Sequence, residues 1–244
     1  MLAQMTRPGA LAAVVSKIVP EGPDARLLRL ELPEGTAFEW RPGQFVEVEL
    51  PGAEIPSRTF SIANPPQDSG AVEILFERKG GLAERLFDLR GGETLQVRGP
   101  LGKWAYRDED RRAVLLASGT GIAPLRSMVS YVLEKGLPNR LDLFYADRTP
   151  GRLLFRREFE AAAERGLGLH LSVLGAEGLW EPGQWWDGRK GPLSAAWVRA
   201  ELGDLGDAAF YMCGGGRQID ALRAGLEAAG ASSDAFRVEK WGDY

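Results

Sequence analysis

From Ala12 to Arg98 apolar and polar positions alternate in short runs, punctuated by glycine and proline: Ala12–Val19, Arg26–Leu32, Gln44–Leu50, Ser57–Ile62, Val72–Glu77 and Thr94–Arg98. In Phe45-Val46-Glu47-Val48-Glu49-Leu50 the period of two turns one face toward a core and the other toward water. Evenly spaced runs of this kind predict an antiparallel barrel. One stretch breaks the rhythm: Gly80 to Phe87 places Leu82, Leu86 and Phe87 on one helical face, after a pair of glycines.

Beyond Arg112 the period changes. Continuous apolar runs at Ala113–Ala117, Leu141–Ala146, Gly168–Leu174, Ala208–Met212 and Phe236–Glu239 read as strands covered on both faces. They alternate with helical patterns near Pro124–Glu134, Leu154–Arg165, Pro192–Leu202 and Arg217–Ala229, which implies a mostly parallel sheet with right-handed crossovers. The charged run Arg107-Asp108-Glu109-Asp110-Arg111-Arg112 is the natural boundary. The chain is therefore expected to hold a β-barrel domain over residues 1–108 and an α/β domain over 109–244. The stretch Leu179 to Lys190 reads as a surface loop whose Trp180, Trp185 and Trp186 serve as packing caps.

At the head of the α/β domain a buried strand runs into Gly119-Thr120-Gly121 and then a helix. Glycines reach backbone angles that a Cβ resists, and the unpaired N–H groups of a helix start seat phosphate. The pair Gly119 and Gly121 fits a nucleotide turn, although the third glycine of the usual dinucleotide fingerprint is absent and Pro124 lies near its place.

Composition narrows the chemistry. In 244 residues the single cysteine, Cys213, excludes an internal disulfide, a four-cysteine zinc site and an iron–sulfur cluster held by this chain. His170, the one histidine, lies in Leu169-His170-Leu171-Ser172-Val173 and reads as a strand residue at a sheet edge, not a triad base. A net charge of −4 gives no basic footprint for nucleic acid. No apolar run approaches the roughly 20 residues of a membrane span, and Met1 to Ala13 lacks the long apolar core of a secretion signal, so a cytoplasmic protein is expected. No metal site is predicted.

Arg58-Thr59-Phe60-Ser61, after Pro56, combines a cation, a ring and hydroxyls in one strand. Alternation sends Thr59 and Ser61 to one face and Arg58 and Phe60 to the other, an arrangement that suits a flavin lying across the strand or an ordinary amphipathic strand. Read in order, Arg58 to Ser61, Gly80-Gly-Leu-Ala-Glu-Arg-Leu86, Gly99-Pro-Leu-Gly102, Gly119-Thr-Gly-Ile-Ala-Pro124, Tyr145-Ala-Asp-Arg-Thr149, Cys213-Gly-Gly-Gly216 and Val238-Glu-Lys-Trp241 span nearly the whole chain. Their order and spacing resemble the ferredoxin–NADP reductase family.

The resemblance implies a Greek-key FAD-binding barrel followed by an NAD(P)-binding domain, with flavin and nicotinamide meeting in the cleft between them. It places Arg58 on the flavin pyrophosphate, Phe60 against the ring in place of the usual tyrosine, and Ser61 near flavin N5. Thr59 belongs to the same strand, and Gly81, Leu82 and Ala83 match a second pyrophosphate motif. In the second domain it places Gly119, Thr120 and Gly121 on the NAD(P) pyrophosphate, and Cys213 and Gly214 beside the nicotinamide, with Gly215 and Gly216 where relatives carry prolines. Ser61, Cys213 and Glu239 are the implied catalytic set, and either Trp241 or Tyr244 would cover the flavin. Arg148, Arg152 and Arg156 could receive a 2′-phosphate while Asp147 would repel one, so the choice between NADH and NADPH stays open.

The implied activity is an FAD-dependent NAD(P)H oxidoreductase. Because one cysteine holds no cluster, electrons must leave to a separate carrier: a ferredoxin-like protein, a flavodoxin, an oxygenase component or free flavin. A free-flavin reductase and an electron-transfer subunit of a larger redox complex are the alternative readings within that chemistry. A non-catalytic nucleotide sensor would keep the Gly119–Gly121 turn without a reducible flavin.

Overall fold

The computed structural model describes residues 9–52, 57–175, 180 and 182–241. The chain divides into two compact units: Met1–Tyr106 with Arg126–Tyr131, and Arg107–Leu125 with Val132–Tyr244. The turn from one to the other falls at Tyr106/Arg107, at the start of the charged run.

Unit 1 is a six-stranded antiparallel sheet built from β1 (Leu11–Pro20), β2 (Ala25–Glu31), β3 (Phe45–Glu49), β4 (Ser57–Ser61), β5 (Ala71–Glu77) and β6 (Thr94–Leu101), in the order β4-β3-β6-β1-β2-β5. A bridge from Ile62, just past β4, to Ile74 in β5 joins the two ends of that order. Register slips at Val15/Lys17 and Phe45/Glu47 bend the strands as bulges do. The inward faces supply Leu28, Leu30, Val46, Val48, Ile62 and Ile74 to one apolar core, and helix α1 (Gly81–Phe87) closes it with Leu82, Ala83 and Leu86.

The segment after β4 is fastened by a polar group at the edge of that core. Asn64 is 1% exposed. Its Nδ2 donates to Ala71 O at 2.8 Å, and its Oδ1 accepts from Glu73 N–H at 2.8 Å. Within the same unit Ser127 Oγ donates to Asn64 O at 2.6 Å, and Arg126 Nη1 donates to Ala63 O at 3.1 Å and to Glu73 Oε2 at 2.7 Å. These bonds explain why residues 126–131, a helical stretch of the α/β pattern, group with the barrel.

Unit 2 is a six-stranded sheet, all of its pairs parallel: β7 (Arg112–Ser118), β8 (Arg140–Asp147), β9 (Gly168–Val173), β10 (Arg189–Lys190), β11 (Ala209–Gly215) and β12 (Phe236–Trp241), in the order β10-β9-β8-β7-β11-β12. The helices are α2 (Ile122–Lys135), α3 (Arg156–Ala163), α4 (Ala195–Leu202) and α5 (Gly216–Ala228). The chain fills the sheet outward from β7 to β10, then returns to the other side of β7 with β11 and β12. The strand order thus reverses between β7 and β11, the point at which open α/β sheets bind ligands.

Three details depart from the sequence pattern. Helix α3 begins at Arg156, not Leu154, because Pro150–Arg152 form a 3₁₀ turn and Phe155 takes a left-handed φ of 56°. Helix α4 begins at Ala195, since Ser194 caps it by accepting from Trp197 N–H at 3.2 Å. Within the expected loop Leu179–Lys190, Arg189 and Lys190 form a strand beside Ser172 and Val173. Replacing Asn64 by Ala leaves the Glu73 N–H and the Ala71 carbonyl without their partner inside the barrel. Urea denaturation is expected to show a loss of about 2 kcal/mol; an unchanged midpoint would remove Asn64 from the scaffold.

Candidate functional site

In unit 1 the candidate flavin residues lie on β4 and at the start of α1. Arg58 and Thr59 are exposed, Ser61 is half-buried, and Phe60 is 7% exposed, its ring 6.0 Å from that of Phe76. Phe60 is thus largely part of the barrel core rather than an open platform. The Arg58 guanidinium stands 5.8 Å from its ring centroid. Before α1, Gly80 and Gly81 take φ of 62° and 55°, conformations open to glycine. Leu82 and Ala83 are buried at 1% and 0%, so what they offer a ligand is main-chain N–H. The first helical N–H groups lack intrahelical acceptors, and Gly80 supplies no side-chain cap. An exposed guanidinium and two hydroxyls on β4, and the uncapped amides at the start of α1, are donors of the kind that a pyrophosphate and a flavin ring edge accept from.

In unit 2 Gly119–Gly121, Asp147, Arg148, Cys213, Gly214 and Trp241 lie at or just beyond the carboxyl ends of the strands, with Glu239 two residues before the end of β12 and Arg156 at the start of α3. The 3₁₀ turn Gly119–Gly121 leads from β7 into α2, whose N-terminus has no side-chain cap. Gly121 is required by contact: a Cβ there would stand 2.3 Å from the Cys213 carbonyl oxygen and 3.4 Å from Trp241 Cη2. The Gly119–Gly121 turn therefore rests directly on the end of β11, with the Trp241 indole beside it. Thr120 is half-buried in the middle of the turn. Tyr244 lies outside the described residues.

Pairing of β11 with β12 sets Cys213 opposite Glu239, Gly214 opposite Lys240 and Gly215 opposite Trp241. The Cys213 sulfur lies 4.0 Å from Glu239 Oε2. Burial pushes the Cys213 thiol well up, and the neighbouring carboxylate adds to the effect. Burial also raises Glu239, from the ordinary 4.5 to about 7. The pair is therefore a neutral thiol beside a carboxyl group that gains or loses its proton near neutral pH, suited to hold or pass a proton.

At the end of β8, Asp147 is 5% exposed. Its Oδ1 accepts from Arg148 N–H at 2.6 Å and faces Arg152 Nε at 3.4 Å, so its charge is met within its own turn. Arg148 is exposed. Arg156 is engaged elsewhere, donating to Glu160 at 2.7 Å and lying 5.0 Å from the Trp186 ring.

Two further residues brace the site through contacts that were not assigned to them from the sequence, although Tyr145 opens one of the quoted motifs. The buried Tyr145 hydroxyl lies 3.3 Å from Gly119 O and 3.1 Å from Arg152 O, and accepts from Leu154 N–H at 3.2 Å, tying the turn after β7 to the turn after β8. Ser118 Oγ donates to Gln218 Oε1 at 2.6 Å, joining the end of β7 to the first turn of α5. The first is a tyrosine inside an apolar run and the second is 100 residues from its partner, so neither role is written locally. His170 stacks on Phe144 with centroids 4.1 Å apart, in β9, and takes no part in the site.

Comparison with known proteins settles the kinship. Residues 12–106 match the family model described as an oxidoreductase FAD-binding domain, and residues 115–223 match an oxidoreductase NAD-binding domain. The chain is 33% identical over 215 residues to ferredoxin–NADP reductase B of Sorangium cellulosum, covering 84% of this chain and 86% of that protein. The chain belongs to the ferredoxin–NADP reductase family. It is also 33% identical to the ferredoxin–NAD(+) reductase component of the alkene monooxygenase system of Xanthobacter autotrophicus, covering 75% of this chain and 52% of that one. The chain thus spans about half the length of that second relative. The flavohem-like FAD/NAD-binding domain of nitric oxide dioxygenase from Vibrio cholerae shares the fold, with a TM-score of 0.84 at 19% identity over 96% of this chain and 99% of that one. FAD and a nicotinamide dinucleotide are the cofactors of the family domains matched.

Among the described residues no group of three His, Cys, Asp or Glu could hold a metal ion, and no helix is long and apolar enough to cross a membrane. The raised Glu239 gives the site a pH signature. Between 4.5 and about 7 the folded protein keeps a proton that the unfolded chain releases, so this group's contribution to stability falls as pH rises through that window and is level above it. Melting temperature against pH is expected to show this fall in the wild type and a shallower one in Glu239→Gln; identical profiles would mean that Glu239 titrates normally.

Proposed function

We propose that the protein takes electrons from NAD(P)H into bound FAD and delivers them to a separate electron carrier, with Ser61, Cys213 and Glu239 serving the transfer. The observation that carries this reading is the convergence, at the strand-order reversal of unit 2, of the Gly119–Gly121 turn with the Cys213–Glu239 pair. Bound FAD supplies the electron-accepting ring; the chain supplies binding, orientation and proton control.

Each role follows from local chemistry. Arg58 offers a planar, exposed cation to the flavin pyrophosphate, with the N–H groups of Gly81, Leu82 and Ala83 as further donors. The half-buried Ser61 hydroxyl, at the end of β4, is the donor this reading assigns to the ring edge. Gly119, Thr120 and Gly121 present main-chain N–H groups to the dinucleotide pyrophosphate at the positive end of α2. A nicotinamide ring is uncharged when reduced and cationic when oxidised, and a Glu239 carboxyl poised near neutral pH can favour either form. Cys213, held as a neutral thiol by burial, offers a small polarisable wall.

The acceptor is read from the relatives' names. Several are reductase components of oxygenase systems, including those of a terephthalate 1,2-dioxygenase and a propane 2-monooxygenase. This chain's cysteine count places the next iron–sulfur carrier on another protein or segment, and a ferredoxin or an oxygenase component is the acceptor proposed.

Anaerobic addition of NADH or NADPH to the purified flavoprotein is expected to bleach the flavin band. A flavin that dithionite reduces but neither nucleotide does would refute the reading. Ser61→Ala and Glu239→Gln are expected to keep FAD while slowing that reduction by about 10- to 1000-fold, in the range of single proton-transfer or hydrogen-bonding groups. Arg58→Ala is expected to lose flavin on dialysis, measured as the ratio of flavin to protein absorbance.

A further inference from the structure

Strands β7 and β11 are neighbours in unit 2, and their ladder runs from Ala113 opposite Ala209 to Ala117 opposite Cys213, where it stops. On its other side β11 stays paired with β12 for two residues more, through Gly215 opposite Trp241. Beyond the ladder the chain after β7 turns into α2 and the chain after β11 enters α5. No rung to β7 therefore holds Gly214 or Gly215. These two and Gly216 follow one another, and glycine loses more conformational freedom on being ordered than any other residue.

A side-chain bond crosses the gap. Ser118, the last residue of β7, donates from Oγ to Gln218 Oε1 at 2.6 Å. The same Oγ stands 3.8 Å from where a Cβ of Gly214 would be. Gln218 is the third residue of α5, which begins at Gly216. A glutamine at that place commonly turns back on the N–H of its own helix start; here its oxygen is held by a residue 100 positions away. The glycine run is thus fixed at both ends, by the β11 ladders as far as Cys213 and by Ser118 through the first turn of α5.

We propose that Ser118 and Gln218 are positioning residues for the hydride step: their bond holds the glycine run in one conformation and so keeps the wall at Cys213 and Gly214 in place for the nicotinamide. The proposal rests on the reductase reading above and adds to it two residues that the reading does not use. In that step a hydride, one proton with two electrons, leaves the dihydronicotinamide and is taken up by bound FAD together with a proton from water. The clasp exchanges nothing and acts by geometry. Because the dinucleotide pyrophosphate is assigned to Gly119–Gly121 and not to the glycine run, loosening the run costs rate more than affinity. It spreads the nicotinamide over placements that do not react, and a displacement of about 1 Å is worth about 100-fold in rate.

The test compares the wild type with Ser118→Ala, Ser118→Thr and Gln218→Leu, each as the intact flavoprotein. Hydrogen exchange over residues 214–218, read by mass spectrometry, is expected to quicken in Ser118→Ala and Gln218→Leu and to stay at the wild-type rate in Ser118→Thr, which keeps the hydroxyl. The maximal rate of flavin reduction by NAD(P)H is expected to fall about 10- to 100-fold in the same two variants. NAD(P)+ affinity, by calorimetry, should change less than about threefold. The double variant should be no slower than either single one, because both remove the same bond. Gly216→Pro in the Ser118→Ala background is expected to recover most of the lost rate: Gly215 has φ −63° and ψ 138°, the extended ψ favoured before proline, and the first helical position accepts one. Unchanged exchange and rate in Ser118→Ala overturn the clasp and leave the reductase reading intact. A loss confined to affinity, with the maximal rate kept, overturns the positioning role and makes the pair an ordinary brace. A wild type reduced by dithionite but by neither nucleotide removes the reading, and the clasp with it.

Discussion

The approach of Gly121 to the Cys213 carbonyl is the constraint on which unit 2 turns. A side chain at Gly121 would need space that main chain already fills, 2.3 Å from its Cβ position. Glycine there lets the turn after β7 settle onto the end of β11, where the strand order reverses. The same contact brings the helix-start amides of α2, the Cys213–Glu239 pair and the Trp241 ring to one rim. Tyr145 and Ser118 then brace the turn from either side, through the end of β8 and the start of α5. A parallel sheet provides this by construction, because all its strands end on the same side.

Electrostatics at that rim are arranged by burial more than by ion pairing. Desolvation leaves the Cys213 thiol neutral and brings Glu239 close to physiological pH. Asp147, which as an open carboxylate would repel a phosphate, accepts instead from the Arg148 main chain and faces Arg152. The rim therefore offers N–H donors and an exposed arginine to an anionic ligand. In unit 1 Asn64 and Glu73 fix the chain just beyond β4, and Arg58 is left facing solvent.

Much of this was legible in the sequence because it depends on local periodicity. Alternation located the barrel strands, continuous apolar runs located the parallel sheet, and glycines marked the turns that phosphate would occupy. What was not legible depends on partners distant in the chain. Arg189 and Lys190 form a strand without an apolar residue, held by main-chain pairing to β9. Three tryptophans in one loop look alike in sequence, yet Trp186 is buried against Arg189 O and the Arg156 guanidinium, Trp180 is half-buried beside Lys190, and Trp185 is exposed. The ring of Phe60 marks a flavin strand by motif, but the packing of Phe76 against it is set by a strand pairing that no motif records. Helix α2 reads as one amphipathic helix, while its middle residues find their hydrogen-bond partners in the barrel segment after β4.

The most direct test of the account is Gly121→Ala, examined for flavin content and then mixed anaerobically with NAD(P)H and, separately, with dithionite. The steric contact with Cys213 predicts a variant that keeps its flavin and is reduced by dithionite as the wild type is, but is reduced by NAD(P)H at least about tenfold more slowly because the nucleotide turn is displaced. Reduction by NAD(P)H at the wild-type rate would contradict the claim that this turn seats the dinucleotide.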